Sequence, residues 1–349
     1  MTIAIITGSN GLIGSESVRF FSNKFNKIIG IDNNFRQKFF GKKASTKWLG
    51  RKLEKEIINY VNFEINIADK KKIFNLFNTF SKDIKLIIHT AAQPSHDWAA
   101  NNPHLDFDVN AFGTLNLLEA TRRYCPDAIF IFTSTNKVYG DSPNFIKLKE
   151  LKSRYEATEN KFYDGIDENF QIDQSKHSLF GCSKLSADIY TQEYGKYFGL
   201  KTGIFRGGCL TGPQHSGVEL HGFLSYLVKC NLLKEKYTIF GYKGKQVRDN
   251  IHSSDLISMF NEFYQSPKKG EVFNCGGGRA NSCSVLEAIK IIESISNIKM
   301  RYSISKKNRI GDHKWYITNF KKFNNYYPDW KQKYNLKLII KEIIDNINL

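Results

Sequence analysis

The chain opens on an apolar, β-branched run from Met1 to Thr7, then turns at Gly8 into a segment whose apolar residues Leu12, Val18 and Phe21 are spaced for one helix face. That order predicts a strand, a glycine turn and a helix. Lys27 to Ile31 reads as a second strand. Ile84 to His89 and Ala128 to Phe132 read as two more of the fully buried type, with Asn110 in a helical segment between them. In the second half, Ser225 to Cys230 is helical, and Leu336 to Ile347 is a basic amphipathic helix whose apolar spacing favours packing over membrane contact. The lysine-rich stretch from Lys38 to Lys55 reads as a loop and a helix.

The glycines of the first turn stand at positions 8, 11 and 14, where missing side chains let a backbone approach a pyrophosphate at a helix N-terminus. Asp32 ends the second strand about 20 residues after that loop, where a carboxylate can accept both hydroxyls of an adenosine ribose. A 2′-phosphate would meet that charge, so NAD is favoured over NADP, with Arg36 the one feature on the other side. These elements predict an α/β protein: a Rossmann-type doubly wound parallel sheet with a smaller C-terminal α/β substrate-binding lobe. Residues 1–185 are expected to form the NAD-binding core. Residues 186–349 are expected to lie mainly in the substrate lobe, with segments returning to the core sheet.

A chain of 349 residues, 41% of them hydrophobic, can bury a full core without an accessory domain. The formal charge of +17 fits compositional bias first, attraction to an anionic substrate second and nucleic acid least. Lysine is spread throughout, and no block of like charges marks a binding tail. Six cysteines without a Cys-x-x-Cys pair fit reduced thiols, so no metal site is expected. No run approaches the roughly 18 apolar residues of a membrane span, and the first is far too short for a signal peptide. A cytoplasmic protein with no membrane partner is therefore expected.

Three segments in fixed order carry a resemblance: Thr7 to Gly14, Ser134-Thr135-Asn136-Lys137-Val138-Tyr139-Gly140, and Phe180-Gly181-Cys182-Ser183-Lys184. Together they resemble the extended short-chain dehydrogenase/reductase family, the nucleotide-sugar epimerases and dehydratases. The resemblance implies cofactor contacts at Gly8, Asn10, Gly11, Leu12, Ile13 and Gly14, at Asp32, Asn33 and Asn34, and at Ala91, Ala92 and Gln93. It also implies a structural Asn110, a nicotinamide-ribose contact at Lys184, and Thr135 as the hydroxyl that bonds the sugar oxygen being oxidised. Family members usually dimerise through the helices after Asn102 and Phe180, so a homodimer is expected.

Where sugar 4,6-dehydratases carry Asp-Glu, this chain has Asn136-Lys137, which supplies neither a carboxylic acid nor a carboxylate base for eliminating water. Ser134 to Asp141, Lys245 to Asp249 and His177-Ser178 are similar to the CDP-tyvelose 2-epimerases, also called CDP-paratose 2-epimerases. That likeness implies an epimerase of a nucleotide diphosphate-sugar used in polysaccharide biosynthesis. Implied substrate contacts are Thr135, Asn136, Lys137, His177, Gly207, His215, Glu219 and His221, with Arg248 and Arg309 clamping the diphosphate through paired guanidinium hydrogen bonds.

One departure stands at the centre of the chemistry. The family's Tyr-x-x-x-Lys reads Phe180-x-x-x-Lys184, and a phenyl ring cannot take a proton. Three explanations stay open: an engineered trap of a natural Tyr, a natural binder without redox turnover, or another group acting as the base. Candidates for that group are Tyr163, His177, Cys182 and His215. A nucleotide-sugar dehydrogenase or reductase of the same fold, and a non-catalytic NAD- or nucleotide-binding protein associated with RNA, are the alternatives to an epimerase.

Overall fold

The structure, a computed structural model, describes residues 1–213, 222–307 and 311–346. The chain divides into two compact units, the first comprising Met1–Thr135, Leu179–Arg206 and Ile257–Phe273, the second the intervening and C-terminal segments.

The sheet of the first unit contains β1 (Ile3–Thr7), β2 (Lys27–Ile31), β3 (Tyr60–Phe63), β4 (Ile84–His89), β5 (Ile129–Thr135), β6 (Lys201–Gly207) and β7 (Glu271–Cys275). Their order is β7-β6-β5-β4-β1-β2-β3. β1 runs parallel to both β2 and β4, β2 to β3, and β4 to β5. All five residues of β1 are buried, as expected for a parallel strand covered on both faces. The strand order reverses between β1 and β4, which opens a crevice at the carboxyl ends of those two strands. Helices α1 (Leu12–Phe21), α2 (His96–Asn101), α3 (Gly113–Tyr124) and α4 (Leu179–Phe198) belong to the same unit. Its core includes Ile5, Ile29, Ile87, Leu117, Phe130 and Phe132.

No boundary falls at residue 185, which lies inside the 20-residue helix α4. The chain instead leaves the first unit where β5 and β6 reach their carboxyl ends, and the second unit is assembled from such excursions. Asn136–Ser178, expected in the core, belongs to the second unit, while Ile257–Phe273 returns to the first and leads into β7. The Lys38–Lys55 region holds the end of helix Phe35–Phe40, a 3₁₀ turn at Lys42–Ala44 and most of helix Lys47–Glu56.

In the second unit, strand Val247–His252 pairs antiparallel with Ser282–Ser284 and parallel with both Trp315–Tyr316 and Cys209–Thr211. A separate core there includes Leu227, Val228, Ile239, Ala288, Ile292 and Ile340. Helix Leu336–Asn346 buries Leu336, Ile339, Ile340 and Ile343, so its apolar stripe is used for packing. Among the described residues, no helix is long and apolar enough to cross a membrane.

Candidate active site

At the crevice of the first unit, the three glycines are needed for three different reasons. Gly8 has φ +66°, and a Cβ there would lie 2.8 Å from the Ala91 nitrogen, so the turns after β1 and β4 meet only because Gly8 has no side chain. Gly11 precedes α1, and a Cβ on it would meet only the Gly8 carbonyl oxygen, at 3.2 Å. A Cβ on Gly14 would lie 2.0 Å from that same oxygen, so helix and turn touch through backbone. The first-turn N–H groups of α1, at Leu12 and Ile13, lack acceptors within the helix and suit an anion.

Asp32 follows β2 and is held by the same turn. Its Oδ2 accepts the Asn10 N–H at 3.1 Å and its Oδ1 the Asn34 N–H at 2.7 Å. Burial pushes the carboxyl above its usual value, against the pull of those two amides. Asn33 and Asn34 spend their side chains on their own loop: Asn33 Oδ1 accepts the Phe35 N–H, and Asn34 Oδ1 the Thr46 N–H. Arg36 lies over the Phe40 ring at 5.0 Å, and burial brings its pKa down to about 10. The carboxylate, the glycine cradle and the helix terminus together fit NAD.

Beneath this turn runs a hydrogen-bond chain that the sequence did not announce. Ala91 N–H donates to Thr7 Oγ1 at 3.2 Å, and the same Thr7 Oγ1 lies 2.7 Å from His89 Nδ1. Thr114 Oγ1 donates to the Asn110 carbonyl at 2.6 Å and therefore accepts from His89 Nε2–H at 2.9 Å. The network assigns His89 as the neutral Nε2–H tautomer, and burial holds its pKa well below the ordinary histidine value. Asn110 lies in the π-helical turn Asp108–Phe112, accepts the Gln93 N–H at 2.9 Å and donates to Ser183 Oγ at 3.0 Å. The Ala91–Gln93 turn is thereby tied to the residue next to Lys184.

Lys184 is buried, with its Nζ 2.8 Å from the Thr133 carbonyl and 4.2 Å from the Phe132 ring centre. Burial brings its pKa down to about 7, against the pull of Asp188 and Asp106. Thr135, two residues beyond Thr133, closes β5 and is half-buried. Asp188, one turn after Lys184, forms a buried fork with Arg206: Nε to Oδ2 at 3.0 Å and Nη2 to Oδ1 at 2.9 Å. Phe180 sits one turn before Lys184 and is 7% exposed. The His96 ring packs edge-on against it, with centroids 5.0 Å apart at 71°.

The second unit gathers a different set. Lys137 Nζ donates to the Gly311 carbonyl at 2.8 Å, and Arg248 pairs with the Asp312 carboxylate, so both cations converge on one short segment. Cys209 lies among these charges, and burial pushes its thiol up to about 11. Asn136 is buried, and Gly207 packs against Leu210.

The candidates for a replacement base fare unequally. His177 sets Nε2 2.8 Å from the Val138 carbonyl oxygen and Nδ1 3.2 Å from the Ser175 carbonyl oxygen, so both nitrogens face backbone oxygens. Tyr163 is 64% exposed, its ring under the Arg279 guanidinium at 4.5 Å, which is a surface position. Burial and Asp106 push the Cys182 thiol up, away from the thiolate. His215, Glu219, His221 and Arg309 lie outside the described residues.

A reversed-order parallel sheet with a glycine cradle, an acidic strand end and a buried lysine defines a Rossmann-type dinucleotide-binding protein. The chain belongs to the NAD dependent epimerase/dehydratase family, which matches it over residues 4–276. It is 33% identical to CDP-paratose 2-epimerase of Salmonella typhi, over 98% of each chain. It is 28% identical to a putative UDP-glucose 4-epimerase of Methanocaldococcus jannaschii, over 98% of this chain and 97% of that one. Its fold matches Bacillus cereus UDP-glucuronic acid 4-epimerase, solved with UDP-glucuronic acid and NAD, at TM-score 0.78 and 23% identity, covering 99% and 98% of the two chains. Thermus thermophilus UDP-glucose 4-epimerase, solved with NAD, matches at TM-score 0.77 and 22% identity over the same shares. The NAD expected from Asp32 agrees with the family and with these neighbours.

Proposed function

We propose that this protein is an NAD-dependent epimerase of a nucleotide diphosphate-sugar, similar in activity to the CDP-tyvelose 2-epimerases, acting through a transient keto sugar. The 33% identity to a CDP-paratose 2-epimerase along 98% of both chains carries the reading. Asn136-Lys137, with no carboxyl group for elimination, argues in the same direction. Bound NAD would supply an electron-pair acceptor that returns what it takes. The N-terminus of α1 would hold the pyrophosphate, Asp32 the adenosine ribose and Lys184 the nicotinamide ribose, while Thr135 would orient the reacting hydroxyl. Asn136, Lys137, His177, Gly207 and Arg248 would face the nucleotide-sugar, and His215, Glu219, His221 and Arg309 join them by resemblance alone.

The test is a spectrum at 340 nm while CDP-, UDP-, dTDP- and GDP-hexoses are added to the NAD-loaded protein. A rise that stays with the protein, together with an epimeric product, is the expected result. Free NADH as product would indicate a dehydrogenase or reductase instead. Silence from both the native protein and Phe180→Tyr would favour a binding protein, the reading that Phe180 itself invites.

Arg248→Met should weaken binding of the cognate nucleotide-sugar by about tenfold to a hundredfold in calorimetry, the value of one or two charge-assisted hydrogen bonds. Arg248→Lys should recover only part, because an ammonium cannot reproduce the planar fork.

The proposed assembly is a homodimer in the cytoplasm. Phe107, Phe112, Ile189, Tyr190 and Tyr197 are exposed on or beside α3 and α4, and Tyr197 is 80% exposed. A second copy covering them would complete a four-helix bundle. The Ile189→Asp and Tyr190→Glu double variant should run at monomer mass in light scattering, where the native protein runs at twice that mass.

A further inference from the structure

The segment Asn136–Ser178 is closed at its base, where Asp141 N–H donates to the Lys176 carbonyl at 3.1 Å and Asp141 Oδ1 accepts the Lys176 N–H at 2.8 Å. Beyond that stitch it folds around a cavity of about 410 Å³, within the size range of small-molecule sites. The residues lining the cavity all lie from Ser142 to Gln171, so none belongs to the glycine cradle or to the set around Arg248. Its apolar wall is aromatic. Phe170 packs edge-on against both the fully buried Tyr139 and Phe162, with centroids 5.9 Å apart in each pair. Phe145 lines the same cavity and is 67% exposed. It ends the 3₁₀ turn Ser142–Phe145, where Asn144 donates its N–H to the Asp141 carbonyl at 2.8 Å and Nδ2 to the Asp312 carbonyl at 3.1 Å. The Phe145 ring is thus held on a fixed turn with a face left open to a flat apolar surface.

The polar lining decides what fills such a cavity. Glu159 and Asp167 set two negative charges against the one positive charge of Lys161, which pairs with Glu159 at 3.0 Å. That balance repels a phosphate, and the Lys161 ammonium repels an organic cation. Asp167 Oδ1 accepts the Asn169 N–H at 3.0 Å, so the carboxylate and the Asn169 amide share one turn of the lining. A carboxylate that only accepts, next to an amide that both accepts and donates, complements neighbouring hydroxyl groups, each of which does both. Ser142, also in the lining, is 3% exposed, and its hydroxyl has no hydrogen-bond partner among the described residues. An aromatic face for C–H surface beside polar groups for adjacent hydroxyls is the complement of a sugar ring. The geometry points to a second, non-catalytic binding site at Ser142–Gln171 for an uncharged sugar, its ring stacked on Phe145 and its hydroxyls bonded to Asp167 and Asn169. The site requires no nucleotide on the sugar, and it stands apart from the epimerase reading.

The experiment titrates free hexoses and 6-deoxyhexoses, without nucleotide, into the NAD-loaded full-length protein and follows saturation transfer to the sugar ring protons by NMR. A saturable signal is the expected result. Phe145→Ala should weaken binding by about tenfold or more through the lost stacking, and Phe145→Trp should preserve it. Asp167→Asn keeps an oxygen for the Asn169 N–H but loses the charge, and it should weaken binding by about tenfold. Both side chains are exposed, so the urea midpoint should stay at the native value in each variant. Thr135→Val, which alters the hydroxyl proposed to meet the reacting sugar, should leave free-sugar binding unchanged.

No signal from any free sugar, or native-like binding in both Phe145→Ala and Asp167→Asn, would overturn the site. Loss of binding in Thr135→Val with Phe145→Ala unaffected would also overturn it, because the free sugar would then occupy the place of the reacting one. Tighter binding of choline or benzylamine than of every sugar would overturn the sugar assignment in favour of a cation. None of these results bears on the epimerase reading, which the 340 nm spectrum decides separately.

Discussion

Gly14→Ala will not retain NAD. The methyl group would sit 2.0 Å from the Gly8 carbonyl oxygen and 2.8 Å from Ser9 Cα, both on the backbone, so neither can swing aside as a side chain would. Either α1 or the Gly8 turn must shift, and α1 carries the first-turn N–H groups suited to the pyrophosphate. Overpacking of this kind costs about 1–3 kcal/mol in stability, which urea unfolding will register. Cofactor released on denaturation should fall to background. Gly11→Ala separates the two effects: its methyl meets only the Gly8 oxygen, at 3.2 Å, so the fold should be nearly unaffected while NAD is crowded out. A Gly14→Ala protein that keeps both its NAD and its urea midpoint would disprove this packing account.

Arg206→Met is expected to destabilise the protein by about 3–5 kcal/mol, the cost of leaving a buried charge without its partner. Asp188 and Arg206 have side chains only 0% and 3% exposed, and Asp188 also accepts from Ser134 Oγ at 2.6 Å and Gln192 Nε2 at 2.7 Å. Removing the guanidinium leaves the carboxylate with two neutral donors in a dry site. The double variant Arg206→Met with Asp188→Leu removes both charges, and it should lie closer to the native protein than the single variant does. Denaturation midpoints of the three proteins decide the matter, and a double variant less stable than the single one would count against it. Because Ser134 directly precedes Thr135, loss of this fork should also disturb the end of β5.

The cofactor cradle was legible in the sequence because its chemistry is local. Three glycines and an acidic residue at a fixed distance satisfy constraints set by two successive strands and the turn and helix between them. What stayed illegible depends on residues far apart in the chain. His96 meets Phe180, and His89 meets Thr7, only because strand order brings their segments to the same crevice. Arg248 was legible as a cation but not as the partner of Asp312. His177 reads as a plausible base until its two carbonyl neighbours are seen. A return of later segments to the core sheet was expected, but the excursion at Asn136–Ser178 was not, because linear order hides a unit built from separate segments.

The strand order also governs how the protein can be made. β5 is paired on one side by β4, and its other neighbour, β6, begins only at Lys201. β6 in turn waits for β7, which begins at Glu271, after most of the chain has left the ribosome. A growing chain therefore presents first Phe130 and Phe132, then Ile204 and Phe205, on an unfinished parallel edge for many seconds of synthesis at about 5–20 residues per second. Pairings across such long sequence separations form slowly. Synthesis of this protein should depend on chaperones that shield apolar edges. A fragment ending at residue 185 would carry the unfinished edge permanently and should aggregate, however complete its glycine cradle.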